Sequence, residues 1–371
     1  MERLSVLYLG EDSESATSRH RADAIRRIGA EVTHLNPYRA LPKSLRGFRG
    51  ALHYRTGYRL LQADLSAWLE SALSLGASFD VCWVDSGEML GRRLLDRVKR
   101  HCQALILFNH DDPTGPRDGQ RFATLRSTLD LYDLCAVVRD ENLEEFRQLG
   151  APSVIKVWRS YDEIAHSPPD PEERIPQHFV SDVTFIGRQI RGENRDKFVV
   201  ALLNAGLDVS IWGDNWTKSR HWATLRKAYR GESLSGREYV YAIAGSKICI
   251  GLLSRGNRDQ HTTRTMEIPA AGGLLCAERT PEHESLYVEG EEAVFWSSSS
   301  ECIDACNDLL ANPRRRERIR RAGMHRVRKN QVGSEDLCLR VLGEVARSAS
   351  APANLVRWLD INQPRVSPRM E

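Results

Sequence analysis

Short apolar segments alternate with amphipathic helical segments along the whole chain, in two successive series. The segments that we predict to be strands are residues 5–9, 32–35, 81–84, 104–108, 134–138 and 154–157, and then 182–186, 209–212, 248–253, 274–277 and 293–296. Strands that alternate with helices favour parallel sheets whose two faces are covered by helices. The pattern therefore predicts an α/β chain built from two doubly wound domains.

A stretch rich in proline and charge, residues 167–176, separates the two series. Such a stretch cannot form a core element, and we interpret it as an interdomain linker. At 371 residues the chain is long enough to bury two separate cores. We expect an N-terminal domain over 1–166 and a C-terminal domain over 177–348, followed by a C-terminal segment at 349–371.

The charge balance and the cysteines narrow the class of protein. A net charge of +3 predicts that the protein has no nucleic-acid partner. The N-terminal apolar run is too short for a signal peptide, and no segment has the length needed to span a bilayer. Cys82, Cys135, Cys249 and Cys276 fall in predicted strands, which is typical of buried free thiols in a reducing compartment. We therefore expect a cytoplasmic protein.

One helical segment, residues 313–328, holds eight arginines against the single acid Glu317. A solvated helix face is the commoner origin of such a run, and we favour it. The alternative is that Arg314 to Arg328 form a basic surface that meets an anionic membrane or a charged polymer. That alternative would hold the protein at the inner face of the membrane as a peripheral protein.

The segment 256–277 gives the strongest indication of a ligand. A buried strand runs into a polar loop, and the loop opens a short helix that carries Glu267 one turn in. The residues at the helix N-terminus are His261, Thr262, Thr263 and Arg264. Hydroxyls, backbone N–H groups and a guanidinium at this position favour an anion. Glu267 is then within reach of the ribose hydroxyls of a nucleotide; alternatively, it only complements the helix dipole.

Ligands of doubly wound sheets bind outside the carboxyl ends of the strands. Gly187, Arg188 and Gly213 follow two such strands, where glycine lets the backbone approach a pyrophosphate and arginine neutralises it. Asp259 either brackets a sugar diphosphate together with Glu267 or is an ordinary turn residue. No P-loop and no complete Gly-x-Gly-x-x-Gly motif occurs, which disfavours a P-loop nucleotidase and a standard dehydrogenase.

Two acidic pairs follow strands of the first half. Asp111 and Asp112 are placed to take the proton of an acceptor hydroxyl, although an Asp before Pro is also a common start of a turn. Asp85 and Glu88, after the preceding strand, carry the same two interpretations. The Asp-Asp dipeptide alone is weak support for a metal site, and we expect no metal.

Four stretches of the second half are specific enough to compare with a known family: residues 183–188, 209–216, 257–277 and 284–294. Looser similarity lies in the first half at Asp111-Asp112-Pro113, Tyr132-Asp133-Leu134, Asn142 and Gly150. With these stretches the chain resembles the glycosyltransferases of the GT-B architecture, most closely the CgeB-like (spore maturation protein) group. The resemblance implies two Rossmann-like domains that face a central cleft, with a nucleotide sugar held mainly by the second domain. It also implies no bound metal, and a C-terminal helix near residues 356–359 that returns to the first domain.

In related retaining enzymes a Glu-x₇-Glu pair reaches the donor. Glu267 matches the second Glu of that pair, whereas Asp259 stands in the place of the first, so retention and inversion both stay open. The expected reaction is sugar transfer through an oxocarbenium-like state. Arg188 and Arg264 would stabilise the departing diphosphate, and Asp111 or Asp112 would take the acceptor proton.

The expected function is thus a glycosyltransferase that uses a nucleotide-diphosphate sugar as substrate and needs no cofactor. The acceptor stays open among a glycan, a lipid-linked sugar, a protein and a small molecule. Two other functions fit the same two-domain chain: a non-catalytic sugar-binding or glycan-binding protein, and a nucleotide-sugar epimerase. The epimerase would need a second set of carboxylates in the first half, which Asp85 and Glu88 leave open.

Overall fold

The structure is a computed structural model that describes residues 3–40, 47–73 and 76–362. The chain divides into two compact units. The first comprises the described parts of Met1–Trp158 and Ser334–Glu371, and the second is Arg159–Gly333. No described helix is both long and apolar enough to cross a membrane.

In the described ranges, each unit is built around one parallel sheet of six strands. The strands are β1 (Ser5–Leu9), β2 (Glu31–Leu35), β3 (Phe79–Asp85), β4 (Cys102–Asn109), β5 (Leu134–Val137), β6 (Val154–Lys156), β7 (Ser181–Ile186), β8 (Val209–Trp212), β9 (Tyr229–Gly231), β10 (Ser246–Gly251), β11 (Leu275–Glu278) and β12 (Val294–Trp296). The predicted α/β class with parallel, helix-covered sheets is confirmed.

Helices follow most of these strands, as the alternating pattern requires. They are α1 (Thr17–Arg27), α2 (Pro37–Ala40), α3 (Gly47–Arg55), α4 (Gln62–Ala72), α5 (Arg92–Lys99), α6 (Ala123–Arg126), α7 (Asp140–Gln148), α8 (Arg195–Asn204), α9 (Trp222–Leu225), α10 (Gly236–Ala244), α11 (Thr263–Ala270), α12 (Pro281–Leu286), α13 (Ser299–Ala311), α14 (Pro313–Lys329), α15 (Ser334–Ala346) and α16 (Ala353–Asn362).

The first sheet has the strand order β2-β1-β3-β4-β5-β6 and is covered on both faces. Successive residues of a strand point to opposite faces. Leu7 and Leu9 accordingly join one apolar core, while Val6 and Tyr8 join the core on the other face. This two-sided burial explains why β1 reads as a continuous apolar run rather than an alternating one.

The C-terminal helices belong to the first unit. Leu337, Val341 and Leu342 of α15 pack into the same core as Val6 and Tyr8. Trp358 and Leu359 of α16 are buried in that core as well. We expected α15 to close the second domain and only the chain beyond residue 348 to return. The apolar face of α15 instead lies on α1, so the chain re-enters the first unit at Ser334.

The first boundary also differs from the expected one at residue 166. The structure divides after Trp158, so residues 159–166 lie in the second unit. Residues 167–176 contain no helix or strand and are also part of that unit. Glu173 in this stretch pairs with Arg237 of α10, which ties the proline-rich segment to a helix that our sequence interpretation did not contain.

The second sheet has the strand order β12-β11-β10-β7-β8-β9. The winding direction reverses between β7 and β10, and ligands of open α/β sheets bind in the crevice at such a reversal. β8 has the predicted bounds, whereas β10 begins two residues earlier than predicted, at Ser246. The short edge strand β9 was not predicted.

Candidate functional site

A cavity of about 300 Å³ opens beside the carboxyl ends of β7, β8 and β10 in the second unit. Its lining is Phe185, Ile186, Gly187, Arg188, Ile190, Arg195, Trp212, Gly213, Asp214, Ser233, Leu234, Leu252, Thr262 and Arg264. The position coincides with the reversal of strand order, as the binding rule for doubly wound sheets predicts. We call this cavity the donor pocket, after the ligand that the sequence resemblance implies for the second domain.

The floor of the donor pocket depends on two glycines that come close together. Gly213 has a φ of +139°, and a Cβ there would lie 2.3 Å from the carbonyl oxygen of Gly187. The same carbonyl accepts a hydrogen bond from Nε1–H of the buried Trp216 at 2.8 Å. Gly213 therefore fits a backbone conformation and a close approach that a residue with a Cβ cannot adopt without displacement.

The N-terminus of α11 also faces the donor pocket, through Thr262 and Arg264. Thr262 N–H donates to Oγ1 of Thr265 at 3.1 Å, and that hydroxyl bonds Nε2 of His283 at 2.9 Å. Burial lowers the pKa of His283 to about 4, so its ring is neutral. The first turn of α11 is thus held by Thr265 and His283 on the side away from the pocket, and the N-terminus of a helix favours an anion.

Three arginines line the pocket. Arg195 is buried, and its guanidinium donates to the carbonyl oxygens of Arg188 and Leu253, both at 3.0 Å. Arg264 donates to Oγ1 of Thr263 at 3.0 Å and keeps 37% of its side chain exposed. Within the described part of the chain, neither Arg188 nor Arg195 has a carboxylate within ion-pair distance. Their positive charge therefore remains available to an anionic ligand.

Glu267 lies beside the donor pocket rather than in its lining. The carboxylate is only 4% exposed and accepts a hydrogen bond from the Tyr239 hydroxyl at 2.6 Å. Nη1 of Arg264 is 3.6 Å from Oε2 of Glu267, and Nε2 of His166 is 3.7 Å from Oε1. We expected Glu267 to be exposed to the ribose hydroxyls of a ligand. In the structure its carboxylate is instead buried, bonded to Tyr239 and close to Arg264.

His261 and Asp259 also differ from our expectation. Burial lowers the pKa of His261, and the neutral ring uses both nitrogens: Nδ1 lies 2.5 Å from Oε2 of Glu282, and Nε2 accepts the Arg159 N–H at 3.1 Å. The imidazole is therefore a brace of the loop and is not turned to a phosphate. Asp259 is 3.3 Å from Nη2 of Arg159, with 6% of its side chain exposed. Arg159 thus holds both residues, and neither lines the donor pocket.

Sequence reasoning placed Asp214 after a strand end but missed two other elements of this site: the segment of Ser233 and Leu234, and the helix α10. Asp214, Ser233 and Leu234 line the pocket, and Ser233 donates to the Asp214 carboxylate through N–H at 3.2 Å and through its hydroxyl at 2.8 Å. The helix α10 then supplies Tyr239. The available signal was the apolar spacing of Tyr239, Val240 and Ile243, which places three buried side chains on one helical face.

The predicted acceptor-side acids lie in the first unit, and the structure separates their roles. Asp112 is buried, and its Oδ1 accepts Nδ2–H of Asn142 at 3.1 Å. Its carbonyl accepts the N–H of Gly115, which closes a turn. This favours the turn interpretation of Asp112 over catalysis. Asp111 instead points to Arg121, whose Nη2 is 3.4 Å from Oδ2 of Asp111.

Arg121 also pairs with Glu88, at 2.6 Å from Oε2, and the two tyrosines Tyr38 and Tyr58 donate to Oε1 at 3.1 and 3.3 Å. Burial raises the pKa of Glu88 to about 7, against the opposing effect of Arg121. A carboxylate with this pKa exchanges a proton near neutral pH, which is the property required of a general base. We call Glu88, Asp111 and Arg121 the acidic cluster.

Three thiols are the described group that comes nearest to a metal-binding geometry. The sulfurs of Cys276, Cys302 and Cys306 lie within 4.8 Å of one another. All three side chains belong to the apolar core of the second unit, among Val294 and Leu309. Thiolates in such surroundings would be poorly solvated, so close packing of small apolar side chains accounts for the cluster.

Comparison with known proteins bears on the fold and on part of the second unit. Residues 188–333 match the model of the glycosyl transferase-like family. This match begins at Arg188 in the donor pocket and runs to the end of the second unit. No curated protein sequence matches the chain.

Three solved structures share the fold over nearly their full length. Sucrose-phosphate synthase from Thermosynechococcus elongatus has a TM-score of 0.68 at 12% identity, covering 93% of this chain and 98% of that one. Anabaena HepE in complex with UDP and glucose has a TM-score of 0.62 at 12% identity, covering 93% and 100%. A UDP-forming α,α-trehalose-phosphate synthase from Burkholderia xenovorans has 0.60 at 14%, covering 94% and 100%. The chain therefore has the GT-B fold of glycosyltransferases.

Proposed function

We propose that this chain is a glycosyltransferase that moves a hexose from a nucleotide-diphosphate donor to an acceptor hydroxyl, without a metal. One observation carries the proposal. Arg188, Arg195 and Arg264 surround a cavity of about 300 Å³ at the N-terminus of α11, where the strand order of the second sheet reverses. Guanidinium groups together with a helix N-terminus suit a diphosphate.

The mixed character of the lining supports a nucleotide rather than a bare anion. Trp212, Leu234 and Leu252 give the pocket apolar surface beside the three arginines. Pockets of this size that combine apolar walls with a few charged groups suit ligands with an apolar ring and a charged tail. Among proteins with this fold, HepE is in complex with UDP and glucose, so we propose UDP and UDP-glucose as the first probes.

The proposed chemistry assigns separate tasks to the two units. The bond between the anomeric carbon and the diphosphate breaks, the electron pair leaves with the diphosphate, and the arginines of the donor pocket stabilise that charge. The acceptor oxygen bonds the anomeric carbon and gives its proton to a carboxylate. Glu88 and Asp111 are the carboxylates that we propose for this task; the pKa of Glu88, raised to about 7 by burial, suits it.

Other residues and properties expected from the sequence belong to the same proposal. We propose that Gly187 and Thr262, which line the pocket, contribute to diphosphate binding, together with Thr263, which accepts a hydrogen bond from Arg264. We propose that Glu267 contacts the donor from its buried position. Membership in the CgeB-like group and a cytoplasmic location are proposed on the sequence features given above.

Isothermal titration of the full chain with UDP tests the donor pocket. We expect saturable binding, and we expect Arg264→Ala and Arg188→Ala each to raise the dissociation constant at least tenfold, a loss of about 1.4 kcal/mol. Arg314→Ala is the matched control, because Arg314 is an exposed arginine of the same unit outside the pocket. GDP, dTDP and ADP in the same titration identify the base. Equal affinity of UDP for the wild type and both pocket variants would contradict the assignment of Arg188 and Arg264 to diphosphate binding.

Turnover separates the enzyme from its alternatives. A glycosyltransferase releases UDP from UDP-glucose, a binding protein leaves UDP-glucose intact, and an epimerase yields an isomeric UDP-sugar without release of UDP. Incubation with EDTA tests the metal: we expect unchanged UDP affinity, because the arginines supply the positive charge. A loss of affinity in EDTA that Mg²⁺ restores would contradict the metal-free part of the proposal.

A further inference from the structure

The surface of the first unit carries a concentrated apolar patch. Phe48, Leu52, Tyr54 and Leu60 are 85%, 43%, 38% and 68% exposed, and they make up four of the ten large apolar side chains that are exposed in the described part of the chain. The helix α3, which holds three of them, has no buried residue. Large exposed apolar patches with a polar rim usually mark a surface that meets a partner.

The same segment is basic and contains no acid. Residues 47–62 include Arg49, Arg55 and Arg59, all exposed, and no Asp or Glu. No carboxylate of the described residues lies within 4.0 Å of these three guanidinium groups. We call Phe48, Leu52 and Leu60 with Arg49, Arg55 and Arg59 the α3 face.

The arrangement on the helix is amphipathic in the sense that an interface requires. Phe48 and Leu52 are one turn apart, so they share a side of α3. Arg55 follows one further turn along. Long arginine side chains can lie along an apolar surface while the guanidinium reaches phosphate groups above it. Apolar anchors with flanking arginines are typical of helices that lie in the interface of an anionic bilayer.

The patch is held firmly from behind. The Tyr54 hydroxyl donates to Oδ1 of Asp118 at 3.2 Å, and the Arg121 guanidinium lies 4.8 Å from the centre of the Tyr54 ring. Tyr58 and Leu61, just after the helix, are buried in the core of the first unit. The segment is therefore anchored at its C-terminal end, while Phe48, Leu52 and Leu60 stay exposed.

The arginine-rich helix α14 lacks these properties, although its sequence first suggested a membrane contact. No large apolar side chain of α14 is among the exposed ones. Several of its arginines are already paired: Arg315 with Asp308, Arg320 with Glu317, and Arg321 again with Glu317. Charge without an apolar anchor gives only weak, salt-sensitive attraction to a bilayer.

We propose that the α3 face binds the surface of an anionic lipid bilayer, with Phe48, Leu52 and Leu60 inserted among the acyl chains and the three arginines at the phosphate level. Two observations support an anionic bilayer as the partner of the α3 face: the exposed apolar cluster, and the absence of any acid from residues 47–62, which hold three exposed arginines. The proposal does not depend on the donor pocket.

Co-sedimentation of the full chain with sucrose-loaded vesicles tests it. We compare vesicles of phosphatidylcholine with vesicles that contain about one third phosphatidylglycerol, and we expect strong binding only to the second. The double variant Phe48→Ser/Leu52→Ser should lower the partition coefficient at least about fivefold, and Arg49→Glu/Arg55→Glu should abolish the preference for the anionic vesicles. The control Arg314→Glu/Arg318→Glu makes the same change in charge on α14 and should bind like the wild type. Thermal unfolding of each variant checks that the fold is kept.

Three results would overturn the proposal. The first is a wild-type chain that stays in the supernatant with both vesicles. The second is loss of binding in the α14 control with normal binding in the α3 variants. The third is a wild-type dimer, seen by light scattering, that Phe48→Ser/Leu52→Ser converts to a monomer without any change in vesicle binding; the occupant of the α3 face would then be a second copy of the chain.

Discussion

Both sheets have a point where the strand order reverses, and the two points are filled in opposite ways. In the second sheet the reversal between β7 and β10 opens into the donor pocket with its arginines. In the first sheet the reversal lies between β1 and β3, and a buried ion pair occupies it: Nε of Arg21 is 2.8 Å from Oδ2 of Asp85, with side chains 4% and 2% exposed. The Tyr8 hydroxyl donates to the same carboxylate at 2.6 Å.

The difference shows which part of a binding site comes from topology and which from side chains. Topology provides a crevice at the carboxyl ends of the strands in both units. An anionic ligand can bind in that crevice only where the positively charged side chains of the protein are not already paired with a carboxylate. Arg195 bonds two carbonyl oxygens and keeps its charge available, whereas Arg21 is neutralised by Asp85. The same fold therefore gives an open pocket lined by arginines in one unit and the buried ion pair of Arg21 and Asp85, which we call the structural lock, in the other.

Breaking the structural lock should have the largest effect on stability. Asp85→Ala leaves the Arg21 guanidinium buried without its acid, and we expect a loss of about 3–5 kcal/mol in the free energy of unfolding. Arg195→Ala removes a guanidinium that donates to two carbonyl oxygens beside the cavity and has no ion-pair partner among the described residues. We expect a loss of about 1 kcal/mol together with loss of UDP binding. Urea unfolding followed by tryptophan fluorescence measures both. Similar losses for the two variants would contradict the distinction between lock and pocket.

The second-largest loss of stability is expected at the close approach of Gly213 to Gly187. Gly213→Ala places a Cβ against the Gly187 carbonyl in a left-handed backbone conformation, and we expect a loss of about 3 kcal/mol and a pocket that no longer binds UDP. Gly192→Ala is the control, because Gly192 has a φ of +88° and a methyl group added there would meet nothing within 4 Å. That variant should lose about 1 kcal/mol. Normal UDP binding by Gly213→Ala would show that the floor of the pocket can shift.

The fold was largely predictable from sequence, because it depends on the period of apolar residues. β1 and β8 have the predicted bounds, since each is a buried apolar run that ends at a glycine. The domain boundary was harder to predict. The sequence of an amphipathic helix such as α15 shows that one face is buried but not which sheet covers it, so its place in the first unit could not be predicted.

The candidate site was only partly predictable, for the same kind of reason. Gly187, Arg188, Thr262 and Arg264 follow strands or begin a helix, and the rule for strand ends places them at the pocket. The local sequence pattern could not show that both ring nitrogens of His261 form hydrogen bonds with residues distant in sequence, Arg159 and Glu282. The partners of a buried polar group are long-range contacts, which a single sequence does not encode in its spacing.

The acidic cluster should make stability depend on pH, in contrast to the arginine pocket. Burial raises the pKa of Glu88 from an ordinary 4.5 to about 7. Between these values the folded chain holds a proton that the unfolded chain has released, so this contribution to stability is present below about pH 4.5 and lost as the pH rises through about 7. Over that range we expect at most about 3 kcal/mol.

Thermal unfolding from pH 5 to pH 8 measures this effect. The wild type should lose stability relative to Glu88→Gln as the pH rises, because glutamine cannot release a proton. Glu14→Gln, which changes an exposed acid of the same unit, should follow the wild type at every pH. A wild type and a Glu88→Gln variant with parallel pH profiles would mean that Arg121 keeps Glu88 ionised throughout.

The smallest effect concerns Glu267, which stands between structure and binding. If its carboxylate contacts the donor, both Glu267→Ala and Glu267→Gln should weaken UDP-sugar binding or turnover about tenfold, near 1.4 kcal/mol, without unfolding the chain. If it only holds the Tyr239 hydroxyl, glutamine can still accept that hydrogen bond, and the affinity of Glu267→Gln should stay close to that of the wild type.

Tyr239→Phe gives the matched measurement, because it removes the same hydrogen bond by deleting its donor. We expect Tyr239→Phe to lower the affinity for the UDP-sugar less than about threefold and Glu267→Gln to lower it about tenfold. The reverse order would reassign Glu267 from a donor contact to a support of α10.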